Sequence, residues 1–179
     1  PFAVHSICMN FCDLYYGFAQ GMGKASMVLA GQSCGARRIH GWRAYLRAGV
    51  RWGLAFSLLA AVLTAVFPSS IIGFYDRDPA VITMGTPIML FVAAVSFPEA
   101  LALIFAGALR GSGKTGQVAM CYFVSVTFLR PIFTAFLLYG MGLGILGAWI
   151  ALAFDQCLRA AASGFLVRRV RVAELMGKD

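Results

Sequence analysis

The stretch "ALRGSGKTG", residues 108–116, admits two readings that lead to different folds. In the first it is a phosphate-binding loop: backbone N–H groups cradle phosphates, a Lys reaches the outer phosphates and a hydroxyl holds Mg²⁺. Gly113, Lys114 and Thr115 supply the second half of that pattern, but Ala108 stands where the first Gly belongs. Such a loop must also leave a buried strand and open a helix inside an α/β domain. In the second reading it is a polar turn between two apolar helices, and the flanking sequence decides.

That flanking sequence is 60% hydrophobic and 12% charged, with mean hydropathy +0.80. A soluble domain carries about 25% charged residues. Five apolar stretches, residues 2–30, 47–67, 80–109, 118–139 and 143–167, each approach or exceed the roughly 20 residues that cross a bilayer core. The segments between them, "GARRIHGWR", "YDRDP", "RGSGKTG" and "GMGLG", are turn or polar signals. The expected fold is all-α, a polytopic membrane helix bundle of five transmembrane helices. The Lys114 loop is then a link between two of them, with Lys114 an interfacial cation.

Charge placement tests this layout independently. The first link, the third link and the tail carry Arg37, Arg38, Arg43, Arg47, Arg51, Arg110, Lys114, Arg168, Arg169, Arg171 and Lys178; the opposite side carries only Arg77. Eleven against one places the basic links and the C-terminus in the cytoplasm by the positive-inside rule, in an inner or plasma membrane. Arg43, Arg47 and Arg51 recur every fourth residue and mark one helix face. The net charge of +8 is accounted for by orientation and membrane lipid, so no nucleic-acid partner is expected.

Cys8, Cys12, Cys34, Cys121 and Cys157 show no metal or redox spacing; all but Cys34 fall inside the apolar stretches, and they read as buried small apolar residues. His5 and His40 are too few and too far apart for a metal site, so none is assigned. Tyr15, Tyr16, Trp42, Trp52, Tyr75 and Tyr139 read mainly as interfacial belt residues. The pairs Gly17 with Gly21 and Gly31 with Gly35 form small-xxx-small faces where helices can approach closely.

An ionisable side chain at the centre of a bilayer costs at least about 2.5–3.5 kcal/mol, so each requires a partner or a function. Those within the spans are Asp13, Lys24, Glu99, Arg130, Asp155 and Arg159. Glu99 follows Pro98, which cannot donate to the carbonyl of Ala94 and should kink the helix there. A carboxylate beside a freed carbonyl suits a coupling-ion site for H⁺ or Na⁺, or a contact to substrate. The alternative is a Glu that pairs with a cation of a neighbouring helix. At 1.5 Å per residue, Arg130 and Asp155 each lie roughly 18 Å from the basic end and Glu99 roughly 15 Å. Arg130 and Asp155 can therefore meet, and Arg159, four residues after Asp155, can pair with it as well. A supporting ion pair and a proton relay are both open for this group. Lys24 can snorkel toward the basic interface, and no role is assigned to Asp13. No cofactor is expected beyond the coupling ion.

The stretches "GKASMVLAGQSCGARR" (23–38), "PEALALIFAGALRGSGKT" (98–115) and "LRPIFTAFLLYGMGLGILGAWIALAFDQCLR" (129–159) resemble, in order and spacing, the C-terminal half of the MATE (multidrug and toxic compound extrusion) transporters. Within them "ALRGSG" resembles the end of the family's tenth helix, and Lys114 stands where the family commonly has Asp. The resemblance implies a partial C-terminal lobe, helices eight to twelve of a twelve-helix protein built from two six-helix lobes. It implies export of small amphipathic or cationic compounds driven by inward H⁺ or Na⁺. It also places an acidic residue of the tenth helix at Glu99, and implies that the missing N-terminal lobe is a partner. The start at Pro1 and the odd span count likewise lead us to expect more chain before residue 1. A non-enzymatic transporter is expected. The other readings are a lipid-linked precursor flippase of the same superfamily and an intramembrane enzyme such as an aspartyl protease, for which "FYDRD" lacks a GxGD partner.

Overall fold

The computed structural model describes residues 2–75, 78–142 and 144–169. Its elements are α1 (Phe2–Gly35), α2 (Ile39–Val66), α3 (Pro68–Tyr75), α4 (Pro79–Gly111), α5 (Thr115–Val124), α6 (Arg130–Ala135) and α7 (Gly144–Arg169). A π-helical turn, Ser125–Leu129, joins α5 to α6, and a second one, Phe136–Gly140, follows α6, so that Thr115–Gly140 is one continuous rod. No strand occurs among the described residues. The chain is an all-α membrane helix bundle.

Proline and glycine set the breaks. α3 and α4 both open on Pro, whose missing N–H is harmless at the first helical position. The "GSGKT" link is a helix-to-helix turn: Gly113 takes φ +77, and Lys114 N–H donates back to Leu109 O at 2.9 Å. No strand precedes it, so the structure has no nucleotide-binding loop there. In the rod, Pro131 removes one helical donor, and Arg130 N–H bonds Ser125 O five residues back instead of four.

Four helical stretches are long and apolar enough to cross a membrane: Ile39–Val66, Gly85–Gly111, Thr115–Gly140 and Gly147–Arg169. The expected count was five. The first expected span is indeed a helix, α1, of 34 residues. Asn10, Asp13, Gln20 and Lys24 dilute its apolar character, which is why it is not among the four. α2 begins eight residues before the expected span, because the helix starts within the arginine-rich link, after a turn at residues 36–38. α3 lies where a link was expected. Arg77, the one basic residue expected on the far side, and the tail residues 170–179 lie outside the described residues.

α4 is the centre of the bundle and packs against α1, α2, α3, α5 and α7. Lipid tails are as apolar as Leu, so burial of oily side chains gives little drive for helix association in a bilayer; close packing and hydrogen bonds must hold the helices together. The tightest packing is between α1 and α4. A Cβ on Gly107 would run into the carbonyl of Gly23, and one on Gly111 into the carbonyl of Met27. A Cβ on Gly23 would lie 2.9 Å from Leu103 O, and one on Gly31 3.4 Å from Gly111 O. The working small-residue face is therefore Gly107 and Gly111 of α4 against Gly23 and Gly31 of α1. Gly17, Gly21 and Gly35, expected to serve such faces, have nothing within 4 Å of an added Cβ.

Two apolar clusters flank a polar middle layer. Ala30, Trp42, Leu109, Val118 and Val167 pack at the basic end, and Ile72, Met89, Val92 and Trp149 at the other. Trp42 is not a belt residue: it is 4% exposed, and its Nε1 donates to Ser112 Oγ at 2.9 Å. Ser112 in turn donates to Ala108 O at 2.8 Å, tying the start of α2 to the end of α4. Tyr15 is buried as well, whereas Trp52 and Tyr139 are exposed as belt residues should be. Cys157 is exposed and Cys34 and Cys121 half-buried, so these cysteines are less enclosed than expected.

Because Gly107 meets backbone rather than a flexible side chain, Gly107→Leu should push α1 from α4 and lower the unfolding midpoint, at a cost of about 1–3 kcal/mol. Gly17→Ala should leave the midpoint unchanged. Equal midpoints for Gly107→Leu and the unsubstituted protein in a detergent melting assay would contradict this packing.

Candidate functional site

Midway along α4, which stays helical through Pro98, polar side chains gather around residues 96–99. Tyr15 of α1 donates its hydroxyl to Ser96 O at 2.7 Å and lies 2.6 Å from Ser57 Oγ of α2. Ser57 Oγ also reaches Ser96 O at 3.4 Å and Gly53 O at 2.9 Å. Side-chain donors from two other helices thus converge on Ser96 O, two residues beyond the Ala94 carbonyl that the proline was expected to free. They tie α1, α2 and α4 together one turn before Glu99.

Glu99 is half-buried, and Gln156 of α7 donates Nε2–H to its Oε1 at 2.8 Å. Both line a cavity of about 200 Å³, together with Asp13, Arg130, Trp149 and Arg159. The cavity draws on α1, α4, α6 and α7, so it exists only once those helices have packed.

Asp155 differs in kind. It is 2% exposed; Ser125 donates its hydroxyl to one carboxylate oxygen and Arg159 donates Nη2–H to the other. The Arg159 guanidinium also sits 5.1 Å from the Tyr122 ring centroid, with Arg110 5.6 Å from the same ring. The expected pair of Asp155 and Arg159 is present, four residues apart on one helix face. The expected meeting of Arg130 with Asp155 does not occur: no ion pair joins them among the described residues, and Arg130 lines the cavity with Glu99 instead. The π turn accounts for this, since it brings Ser125 rather than Arg130 against Asp155. Lys24 stands exposed on α1, away from the cavity.

Charge counting then defines what the cavity can do. The cavity lining carries the carboxylates of Asp13 and Glu99 and the guanidinium groups of Arg130 and Arg159, two against two, while Asp155 lies outside the lining, paired with Arg159. Asp155 and Arg159 neutralise each other, which leaves Asp13 and Glu99 against Arg130. With all five groups ionised, Asp155 included, one negative charge is in excess. A proton, a metal cation or an organic cation would balance it.

Sequence reasoning did not assign Asp13, Gln156, Ser125 or Tyr122 to the site. Asp13 was visible as an ionisable residue in an apolar run, but its neighbours depend on the α1–α4 register. Gln156 adjoins Asp155 in sequence yet faces a different partner, because successive helical residues point about 100° apart.

Comparison with known proteins places this geometry in context. The MatE family model matches residues 1–136. The chain is 34% identical over 144 residues to the probable multidrug resistance protein NorM of Chromobacterium violaceum, covering 80% of this chain and 29% of that protein. It is 30% identical over 127 residues to the multidrug resistance protein MdtK of Photorhabdus laumondii, covering 71% of this chain and 28% of that protein. The crystal structure of the eukaryotic MATE transporter AtDTX14 has the same fold, with TM-score 0.86 at 17% identity, over 97% of this chain and 39% of that one. The chain thus spans about a third of the length of the relatives it matches.

The Asp155–Arg159 pair should be structural. Asp155→Ala leaves a guanidinium without its counter-charge in a low-dielectric site, and should destabilise the protein by about 3–5 kcal/mol. Removing both charges, as Asp155→Asn with Arg159→Gln, should restore most of that loss. A double-mutant cycle on thermal unfolding reads the coupling; additive effects would contradict the assignment.

Proposed function

Because the chain belongs to the MatE family, we propose that it forms part of a cation-coupled secondary transporter that exports amphipathic or cationic compounds. The observation that carries the reading is that Asp155 engages Arg159, which leaves Glu99 and Asp13 with Arg130 as the remaining charged groups of the cavity. The names of the multidrug resistance relatives support the transport class. The segments of a full-length relative that lie outside this chain supply the rest of the pathway, including the other lobe.

In this mechanism Glu99 is the exchangeable charge. Facing one side of the membrane it is ionised, and it helps hold a cationic substrate while Gln156 fixes its carboxylate by a hydrogen bond. Facing the other side it takes up H⁺ or Na⁺, the negative charge is cancelled, and the substrate loses its counter-ion and leaves. Each ligand favours the conformation in which it binds more tightly, which is the thermodynamic content of alternating access. Pro98, which removes one backbone donor inside α4, gives that helix a place to flex between the two states. Asp155 supports the site by holding Arg159 near it. The basic ends and the C-terminus face the cytoplasm.

The test is transport by the intact protein in liposomes with an imposed H⁺ or Na⁺ gradient. Losing one charge-assisted contact, worth about 1.5–3 kcal/mol, weakens cation binding about tenfold or more. Glu99→Gln should therefore lose both substrate-driven ion flux and gradient-driven efflux by at least that factor. If efflux and ion flux both persist at the original rates, Glu99 is not the coupling residue.

A further inference from the structure

A second concavity, unrelated to the polar cavity, opens at the basic end between α2, α4 and α7. It is a groove of about 820 Å³. Its floor is Leu101 and Phe105 of α4, and its α7 wall is shallow because Ala160, Ala161 and Gly164 are small. A Cβ on Gly164 would come within 3.3 Å of the Phe105 ring. Arg47 and Arg51 of α2 and Arg168 of α7 stand on its rim. None of the three forms a salt bridge among the described residues. Arg169 packs at the same rim, 4.4 Å from the Phe165 ring centroid.

The depth fits a membrane surface. α2 has 28 residues, about 42 Å at 1.5 Å per residue, against a hydrocarbon core of about 30 Å. With the excess of about 12 Å at its basic end, Arg47 stands at the core boundary and Arg51 about 6 Å below it, from where long side chains snorkel toward the phosphates. Below the arginines the groove is apolar, at the depth of acyl chains. A cationic rim above an apolar slot is complementary to one kind of molecule.

We propose that this groove binds an anionic phospholipid, its phosphate held by Arg47, Arg51 and Arg168 and an acyl chain laid along Leu101 and Phe105. The arginines there do more than orient the chain in the membrane: they form a headgroup site. Arg suits phosphate because its planar fork can donate two parallel hydrogen bonds to it. Bound lipid would bridge α2 and α7, which otherwise touch mainly through α4.

The test uses the intact protein in a neutral detergent, titrated with phosphatidylglycerol or with phosphatidylcholine of the same acyl chains, and counts bound lipid by native mass spectrometry. Each basic residue near an anionic surface contributes a several-fold gain, so phosphatidylglycerol should bind about tenfold or more tightly. Two changes should each reduce its binding to the phosphatidylcholine level: the triple change Arg47→Gln, Arg51→Gln, Arg168→Gln, and Ala161→Trp, which fills the groove and leaves every charge in place. Lys114→Gln, a cation at the same end outside the groove, should have no effect. Should the triple variant fail to fold, Ala161→Trp alone decides. Equal binding of the two lipids overturns the proposal. So does unchanged phosphatidylglycerol binding by Ala161→Trp, which would reveal diffuse surface attraction in place of a site.

Discussion

The backbone-to-backbone approach of α1 and α4 is the constraint on which the remaining geometry rests. Gly107 and Gly111 bring α4 so close to Gly23 and Met27 that neither could carry a side chain without moving a carbonyl. The two helices run parallel, and these contacts lock their register: Gly23 lies against Leu103 and Gly107, and Gly31 against Gly111. Two turns back along both helices, the same register sets Tyr15 against Ser96 and Asp13 beside Val95 and Glu99. Contacts near the basic end thus fix which groups meet in the polar middle layer.

Within that layer the two acids Asp155 and Glu99 are held differently. Asp155 has its two oxygens engaged, by a hydroxyl and a guanidinium, and has almost no access to solvent. Neutralising it would remove the counter-charge that Arg159 has in a low-dielectric site. Glu99 has one neutral partner, Gln156, and faces the cavity. A neutral amide stays hydrogen-bonded whether or not the carboxylate gains a proton or a cation. The two acids therefore differ in the cost of changing charge, although both lie within apolar helices. Placing apolar clusters at either end of this layer keeps the polar groups from the bulk while the membrane supplies the remaining surface.

Much of this was legible in the sequence, and what was not has identifiable causes. Long runs of Leu, Val, Phe and Ala fix where helices lie, because the bilayer forces backbone groups to pair internally. The turns at Gly113 and Gly142 are equally visible, since both take positive φ. Helix ends were harder: the arginines of residues 37–43 look like a link, yet α2 begins among them and exposes them to the headgroup layer. Gly111 lay inside the segment read for its loop chemistry and Gly107 just before it, while Gly17 and Gly21 have the same spacing and touch nothing. Trp42 resembles any interfacial Trp until Ser112 is brought to its Nε1 by folding. Glu99, Asp155 and Arg159 stood out because an isolated charge in an apolar helix is costly. Gln156 and Ser125 did not, because a neutral polar residue there is inexpensive and gives no such signal.

In the proposed mechanism Glu99, and not Asp155, changes charge when a cationic substrate binds. Difference infrared spectroscopy of the intact protein with and without a cationic substrate addresses this directly, because protonated and ionised carboxyl groups absorb at separate frequencies. The expected spectrum shows one carboxyl group ionising as substrate binds or, where Na⁺ is the exchanged ion, one carboxylate band shifting as Na⁺ leaves; either signal is lost in Glu99→Gln and kept when the Asp155–Arg159 pair is replaced by Asn and Gln. A signal that survives in Glu99→Gln, or no carboxyl change on binding, would contradict the account.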